Sequence, residues 1–373
     1  MPLNDTTVLL AFAEGRTNCG DFTYHDLLCK RSFDSGRTWS ATCGQDGLAL
    51  VNATKTWGFA AAGSYNGTSN STAASGSAIF DPTPVYDGTT GEVFLFFQLS
   101  PWALNTASTQ RKPGHAIFVM SSTDAGASWT APKNLTYLYD GSQAKAVGVV
   151  CDASDTSWCE QDPAGGHGIQ LSSGRLLVPS YHANGQSCIL YSDNHGKSWT
   201  IGPQFHSQGG GSKLGDAFEG AVVELFDGAG VLVHVRTDGP FQCLPDSSVI
   251  SCQRGAVSTD GGLTFGEWKD QSAIPTPAVR GGLARWGAGK GLVTANCADQ
   301  SRGDGQRVNT TVRISLDNGN TWPHSVLIDT LGGYVTVEMI SEDLIGVLYD
   351  KGADCGPVAF ASINATELVS RTI

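Results

Sequence analysis

The chain has 373 residues and a formal net charge of −12, with charged side chains at only 16 % and 47 glycines. That acidity excludes nucleic acid and anionic membrane surfaces as general partners, so an anionic ligand would need a local basic cluster. Low charge with abundant glycine suits turn-rich β structure and excludes helical bundles and disordered chains.

In chain order, Met1-Pro2-Leu3-Asn4-Asp5 has none of the character of a leader peptide, and no apolar run reaches the length of a membrane span. Thr7 to Ala13 is an apolar run that predicts a buried strand, and Leu27 to Ser32 predicts the next. Residues 52 to 76, rich in Ser, Thr, Gly, Ala and Asn, read as an irregular surface insert. Strands are then predicted at Glu92 to Leu99, Ala116 to Ser121, Gly168 to Leu171, Leu176 to Tyr181 and Ser187 to Ser192. Ala221 to Phe226 and Val231 to Arg236 flank Asp227-Gly228, a hairpin signal. Arg280 to Trp286 with Gly291 to Cys297, and Tyr334 to Ile340 with Leu344 to Tyr349, repeat the pattern. No segment carries a long helical period.

One motif punctuates these strands. Ser32 to Trp39, Ser122 to Trp129, Ser192 to Trp199, Ser258 to Phe265 and Ser315 to Trp322 share the order S-x-D-x-G-x-[ST]-aromatic, with Asn194 in the Asp slot of the third copy. The Asp or Asn can bind backbone N–H groups two residues on, the Gly can adopt positive φ, and the aromatic can serve as a buried plug. Successive copies lie between 90 and 57 residues apart, the spacing of propeller blades with variable inserts. The fold expected is therefore all-β: a single β-propeller domain over residues 1–373. Five motif-bearing blades and a motif-less terminal one give six, with seven as the alternative.

Ten cysteines and seven N-x-[ST] sequons point to a secreted, oxidised and glycosylated protein. Cys151 with Cys159 and Cys243 with Cys252 are expected as loop disulfides, since the close C-x-x-C spacing that zinc would want is absent. Neither a calcium loop with a twelfth-position Glu, nor H-E-x-x-H, nor G-x-S-x-G occurs, so no metal, no cofactor and no serine nucleophile is expected.

The repeated motif, together with AFAEGR (11–16), GHGIQL (166–171), RLLVPSYH (175–182), FEGAVVEL (218–225), VHVR (233–236), RVNTTVR (307–313) and the Tyr334 segment ahead of IGVLYD (345–350), resembles the sialidases of glycoside hydrolase family 33. The resemblance covers nearly the whole chain. It implies a six-bladed sialidase propeller that removes terminal α-linked sialic acids from glycoproteins, glycolipids or oligosaccharides. A sialic acid bears a carboxylate on its anomeric carbon, which guanidinium forks can hold and which would repel a carboxylate nucleophile. A Tyr deprotonated by a neighbouring Glu avoids that repulsion, and sialidases are the exception to the two-carboxylate rule of glycosidases.

By this resemblance Tyr334 matches the nucleophile, Glu219 the acid that polarises it, and Asp21 the acid/base, with Asp26 as rival; Glu224 reads as a face residue. Arg236 and Arg307 match two members of an arginine triad, Arg313 and Arg302 being the residues that could be confused with Arg307. Arg16 matches a further sugar-contacting arginine, and Tyr181 and His182 are candidates for the pocket wall. The family's first triad arginine, in an Arg-Ile-Pro strand ahead of the acid/base Asp, has no counterpart in this sequence. Losing one fork would weaken carboxylate binding by about 1.5 to 3 kcal/mol. The missing arginine and leader together imply an N-terminally truncated form of a longer secreted protein, impaired as it stands. The other readings are a sialic-acid-binding propeller without turnover, an enzyme preferring a deaminated nonulosonic acid, or a trans-sialidase. A monomer with no membrane span is expected in every case.

Overall fold

The computed structural model describes residues 1–3, 7–16, 25–39, 43, 49–51, 78–100, 116–140, 161–182, 186–205, 217–226, 228, 230–237, 253–287, 289–299, 307–352 and 356–371. Among the described residues, twenty-three strands and two short helices form six blades arranged as a β-propeller. The first blade holds β1 (Leu9–Arg16), β2 (His25–Ser32) and β3 (Ala49–Val51). Next come β4 (Ala78–Asp87), β5 (Glu92–Ser100), β6 (Ala116–Ser122) and β7 (Lys133–Asn134), with helix α1 (Tyr137–Asp140) behind them. The third blade has an interrupted inner strand, β8 (Gln161–Pro163) and β9 (Ile169–Gln170), followed by β10 (Leu176–His182), β11 (Gln186–Ser192) and β12 (Thr200–Ile201). The fourth is β13 (Gly220–Glu224), β14 (Val231–Arg236), β15 (Gln253–Ser258) and β16 (Lys269–Asp270); the fifth is β17 (Gly282–Trp286), β18 (Gly291–Cys297), β19 (Val308–Ser315) and β20 (His324–Leu331). A three-stranded sixth blade, β21 (Val335–Met339), β22 (Leu344–Asp350) and β23 (Val358–Asn364), is followed by helix α2 (Ala365–Ser370).

In the second to fifth blades the repeated motif connects the third strand to the fourth, and in the first blade it follows β2. The serine hydroxyl donates to the Asp or Asn side chain, as from Ser258 to Asp260 at 2.7 Å, and accepts the N–H of the motif Gly, as from Gly262 at 2.9 Å. The Asp carboxylate then accepts the N–H of the Thr or Ser four residues on, at 2.8 Å from Asp34 to Thr38, Asp124 to Ser128 and Asp317 to Thr321. The loop is thus tied four residues on rather than the two that an Asx turn predicts. Not only the Gly but also the residue before it takes positive φ, at Ser35, Ala125, His195, Gly261 and Asn318.

The motif aromatics do more than plug their own turn, because each reaches back to the preceding blade. Trp129 stands edge-on to Phe12, Trp199 to Phe94 and Phe96, Phe265 to Phe205, and Trp322 to His234. Trp39 of the first blade meets Phe360 of the last, at 5.3 Å, which closes the ring. Trp199 and Trp322 are buried as expected, whereas Trp39, Trp129 and Phe265 are half-buried. The interface between the fifth and sixth blades lacks a motif and is filled instead by Trp286, Val293, Val312, Val337, Val347 and Tyr349.

Several sequence expectations need correcting. The strand expected to begin at Arg280 begins at Gly282, and the one expected at Tyr334 begins at Val335, so both side chains precede their ladders. Strand β4 was absent from the sequence reading because Pro82 and Pro84 lie inside it; a register shift between Phe80 and Thr83 accommodates them. The expected disulfides Cys151–Cys159 and Cys243–Cys252, and the insert at residues 52–76, lie outside the described residues. A disulfide joins Cys29 to Cys43, and Cys188 and Cys297 are buried. Among the described residues no helix is long and apolar enough to cross a membrane.

The motif account predicts two graded losses in denaturant unfolding. Ser258→Ala strands the buried Gly262 N–H and should cost about 1–3 kcal/mol. Trp199→Ala, which empties an interface between blades, should cost about 3–5 kcal/mol. A smaller loss for Trp199→Ala than for Ser258→Ala would contradict the assignment of the aromatics as the inter-blade plugs.

Candidate active site

In an antiparallel blade the start of the first strand, the end of the second and the start of the third share one end. The candidate residues occupy those stations. Glu219 immediately precedes β13 and Tyr334 immediately precedes β21, both first strands; Tyr181 is the penultimate residue of one second strand, β10, and Arg236 the last of another, β14; Arg307 precedes the third strand β19. All five line one cavity of about 1070 Å³. Residues far apart in sequence therefore meet because they hold equivalent places in different blades.

Glu219 and Arg236 are cross-strand neighbours. The β13–β14 ladder continues past Gly220 through Arg236 N donating to Glu219 O at 3.0 Å and Phe218 N to Arg236 O at 3.0 Å. Arg236 Nη1 then donates both to Glu219 Oε2, at 3.0 Å, and to the Tyr334 hydroxyl oxygen, at 3.2 Å. Tyr334 itself donates its hydroxyl to Glu219 Oε1 at 2.6 Å. Its backbone is pinned at both ends by Asp350, whose N–H donates to Tyr334 O at 3.0 Å and whose Oδ2 accepts Tyr334 N–H at 3.2 Å.

The protonation states follow from these contacts. Burial alone would raise Glu219, but Arg236, the Tyr334 hydroxyl and Arg280 outweigh it and hold the carboxyl below its usual range. Burial and then the Glu219 charge push the Tyr334 phenol well up, against the opposing pull of Arg236 and Arg307. Glu219 is thus an ionised acceptor and Tyr334 a neutral donor, so the phenol becomes a nucleophile only as Glu219 takes its proton.

Two further arginines face the same ring. Arg307 places its guanidinium carbon 4.9 Å from the Tyr334 ring centre and Arg280 places its own at 5.8 Å. Of the alternatives to Arg307, Arg313 lies elsewhere: it is buried, donates to Asn296 Oδ1 at 2.6 Å, and is pushed down to about 10 by burial. Arg302 lies outside the described residues. Glu224 accepts from Ser172 and pairs with Arg285 at 2.9 Å, the face role expected of it.

Carboxyls line the same cavity: Glu14, Asp81 and Asp162 are among its lining residues, and Tyr181 donates its hydroxyl to Asp81 Oδ2 at 3.3 Å. Asp81 was missed by sequence reading, although Asp-Pro within an apolar run marks a bulge. It is a non-glycine residue at φ 54°, with its N–H donated to Glu14 Oε1 at 2.9 Å. Burial first, then the charges of Glu14, Asp162 and Glu219, raise its carboxyl well above the ordinary value. The cavity lining therefore combines guanidinium groups around Tyr334 with carboxyls able to bind hydroxyl groups.

The remaining candidates are less defined. Asp21 and the side chains of Arg16 and His182 lie outside the described residues; the backbone of Arg16 ends β1 opposite His25, beside the cavity-lining Glu14 and Gly15. The rival Asp26 sits on β2 opposite Gly15 and is not among the residues lining the cavity.

Comparison with known proteins agrees with this geometry. The profile of the BNR repeat-like domain matches residues 49–339. A sialidase of Micromonospora viridifaciens is 27 % identical over 379 residues, covering 95 % of this chain and 49 % of the relative. Sialidase-4 of Homo sapiens is 27 % identical over 298 residues, covering 74 % of this chain and 51 % of its own. The chain thus spans about half the length of these curated relatives. Among solved structures, the Hadza microbial sialidase Hz136 superposes with a TM-score of 0.73 at 20 % identity, over 98 % of this chain and 65 % of that one.

Proposed function

Given that the chain belongs to the BNR repeat-like family, and with it to the sialidases of glycoside hydrolase family 33, we propose that it is a retaining exo-α-sialidase acting on sialylated glycoproteins, glycolipids or oligosaccharides. The observation that carries the reading is the 2.6 Å hydrogen bond from the Tyr334 hydroxyl to Glu219, with guanidinium groups gathered behind it. A lectin needs guanidinium groups for the carboxylate but has no use for a tyrosine coupled to an ionised buried acid.

The sugar carboxylate pairs with Arg307 and Arg236, which sets the anomeric carbon over Tyr334 Oη. Oη attacks that carbon while Glu219 takes the phenolic proton, and the bond to the aglycone oxygen breaks. Asp21, which the family resemblance matches to the acid/base, gives its proton to the departing oxygen. In the second step Asp21 accepts a proton from water, whose oxygen displaces Tyr334 from the anomeric carbon, and Glu219 returns the proton to the phenol. Two displacements restore the starting configuration. The carboxyls of Asp81 and Asp162, in the lining of the same cavity, suit hydroxyl groups of the same sugar. The Cys29–Cys43 disulfide supports secretion, where sialylated glycoconjugates are met, and the protein acts as a monomer.

Hydrolysis of an α-sialoside followed by proton NMR should show the α-anomer of free sialic acid first, with the β-anomer appearing only by later mutarotation. Initial release of the β-anomer would refute the double displacement. Tyr334→Phe should lose nearly all turnover yet keep sialoside affinity; unchanged turnover would remove Tyr334 from the mechanism. Arg307→Ala should raise KM about 10- to 100-fold, the worth of one charged fork. An unchanged KM would place the carboxylate elsewhere.

A further inference from the structure

Arg280 was read from sequence as an ordinary strand residue, and the structure makes it something else. The side chain is only 7 % exposed and lines the same cavity as Tyr334. Among the described residues it forms no ion pair, makes one long hydrogen bond from Nη1 to Val335 O at 3.4 Å, lies over the face of the Tyr334 ring, and has no hydrogen-bond partner for its Nε. A guanidinium buried to this extent without a bound anion is costly, and buried charges are normally paired.

The surrounding chain is shaped to admit this group. Gly165 and Gly166, both at positive φ, interrupt the inner strand of the third blade and lie against the guanidinium. A Cβ at Gly166 would fall 2.3 Å from Arg280 Nη1, so any side chain there would expel the arginine from its place. Arg280 also holds the station of Glu219 and Tyr334, just ahead of a first strand, in the blade between theirs. Arg236, by contrast, already spends one nitrogen on Glu219 and Tyr334.

Building on the sialidase reading, we propose that Arg280 is a substrate-binding residue whose free nitrogens pair with the carboxylate of the sugar beside Arg307. Arg236 is partly committed to Glu219, whereas among the described residues Arg280 and Arg307 form no ion pair with a carboxylate. The anionic substrate supplies that missing counter-charge. The site is thereby tuned to substrates bearing a carboxylate at the anomeric carbon.

The test crosses a change in the protein with a change in the ligand. Binding of the unsaturated sialic acid analogue 2-deoxy-2,3-didehydro-N-acetylneuraminic acid, and of its uncharged methyl ester, is measured by calorimetry for the wild-type chain, Arg280→Gln and Arg280→Lys. The wild type should prefer the free acid. Arg280→Gln should lose about 10- to 100-fold for the acid and little for the ester, with Arg280→Lys between. Equal losses for acid and ester would show that Arg280 merely balances Glu14, Asp81 and Asp162, and would overturn the proposal while leaving the sialidase reading intact. An unchanged acid affinity in Arg280→Gln would overturn it likewise. If the wild type binds neither ligand, the sialidase reading falls and this proposal with it. Should Arg280→Gln fail to fold, the Arg280→Lys comparison decides: a lysine that leaves the acid-to-ester preference untouched would overturn the forked pairing.

Discussion

The structure depends on the reach of each motif aromatic into the blade before it. A blade alone cannot bury both faces of its sheet, so the ring is stable only when its blades stack and close. Trp129, Trp199, Phe265 and Trp322 join consecutive blades, and Trp39 joins the first to the last through Phe360. The hydrogen bonds of Ser, Asp and Gly within each motif fix the turn that aims the ring. Edge-on aromatic contacts contribute about 0.5–1.5 kcal/mol each beyond the area they bury.

Closure has a chemical consequence. It brings the same end of every blade to one axis, so that a residue just ahead of a first strand in the fourth blade touches its counterpart in the sixth. Glu219 and Tyr334 meet in this way, and Arg280 occupies the corresponding place between them. The electrostatics are set by the same convergence, which brings Arg236, Arg280 and Arg307 into one cavity with Glu219 and Asp81. Glu219 stays ionised because Arg236 stands opposite it in the hairpin, and that ionised oxygen is what makes the neutral phenol of Tyr334 a usable nucleophile.

Much of this was legible in the sequence, for physical reasons. The motif has an obligatory chemistry and recurs five times, so the propeller and its blade count could be read directly. Gly291 to Cys297 is apolar but for Thr294 and Asn296, and its observed bounds match the expected ones. Tyr334, Glu219, Arg236 and Arg307 carried flanking patterns that placed them. Arg280 did not: an arginine beside Gly281 and Gly282 looks like the first residue of a strand, and only the displaced strand start frees its side chain for the cavity. Asp81 was hidden by the prolines that seemed to rule out a strand. The dependence of each aromatic on the preceding blade is a tertiary fact that no local pattern encodes.

The central claim is that Tyr334 forms the covalent intermediate. A 2,3-difluoro sialic acid has a good leaving group at C2, while fluorine at C3 slows every step that builds oxocarbenium character, so the glycosyl-enzyme should accumulate. Peptide mapping by mass spectrometry after a short incubation should find one adduct, on the peptide carrying Tyr334, and none in Tyr334→Phe. An adduct on Glu219 or any other residue, or steady turnover with no adduct at any time, would contradict the account.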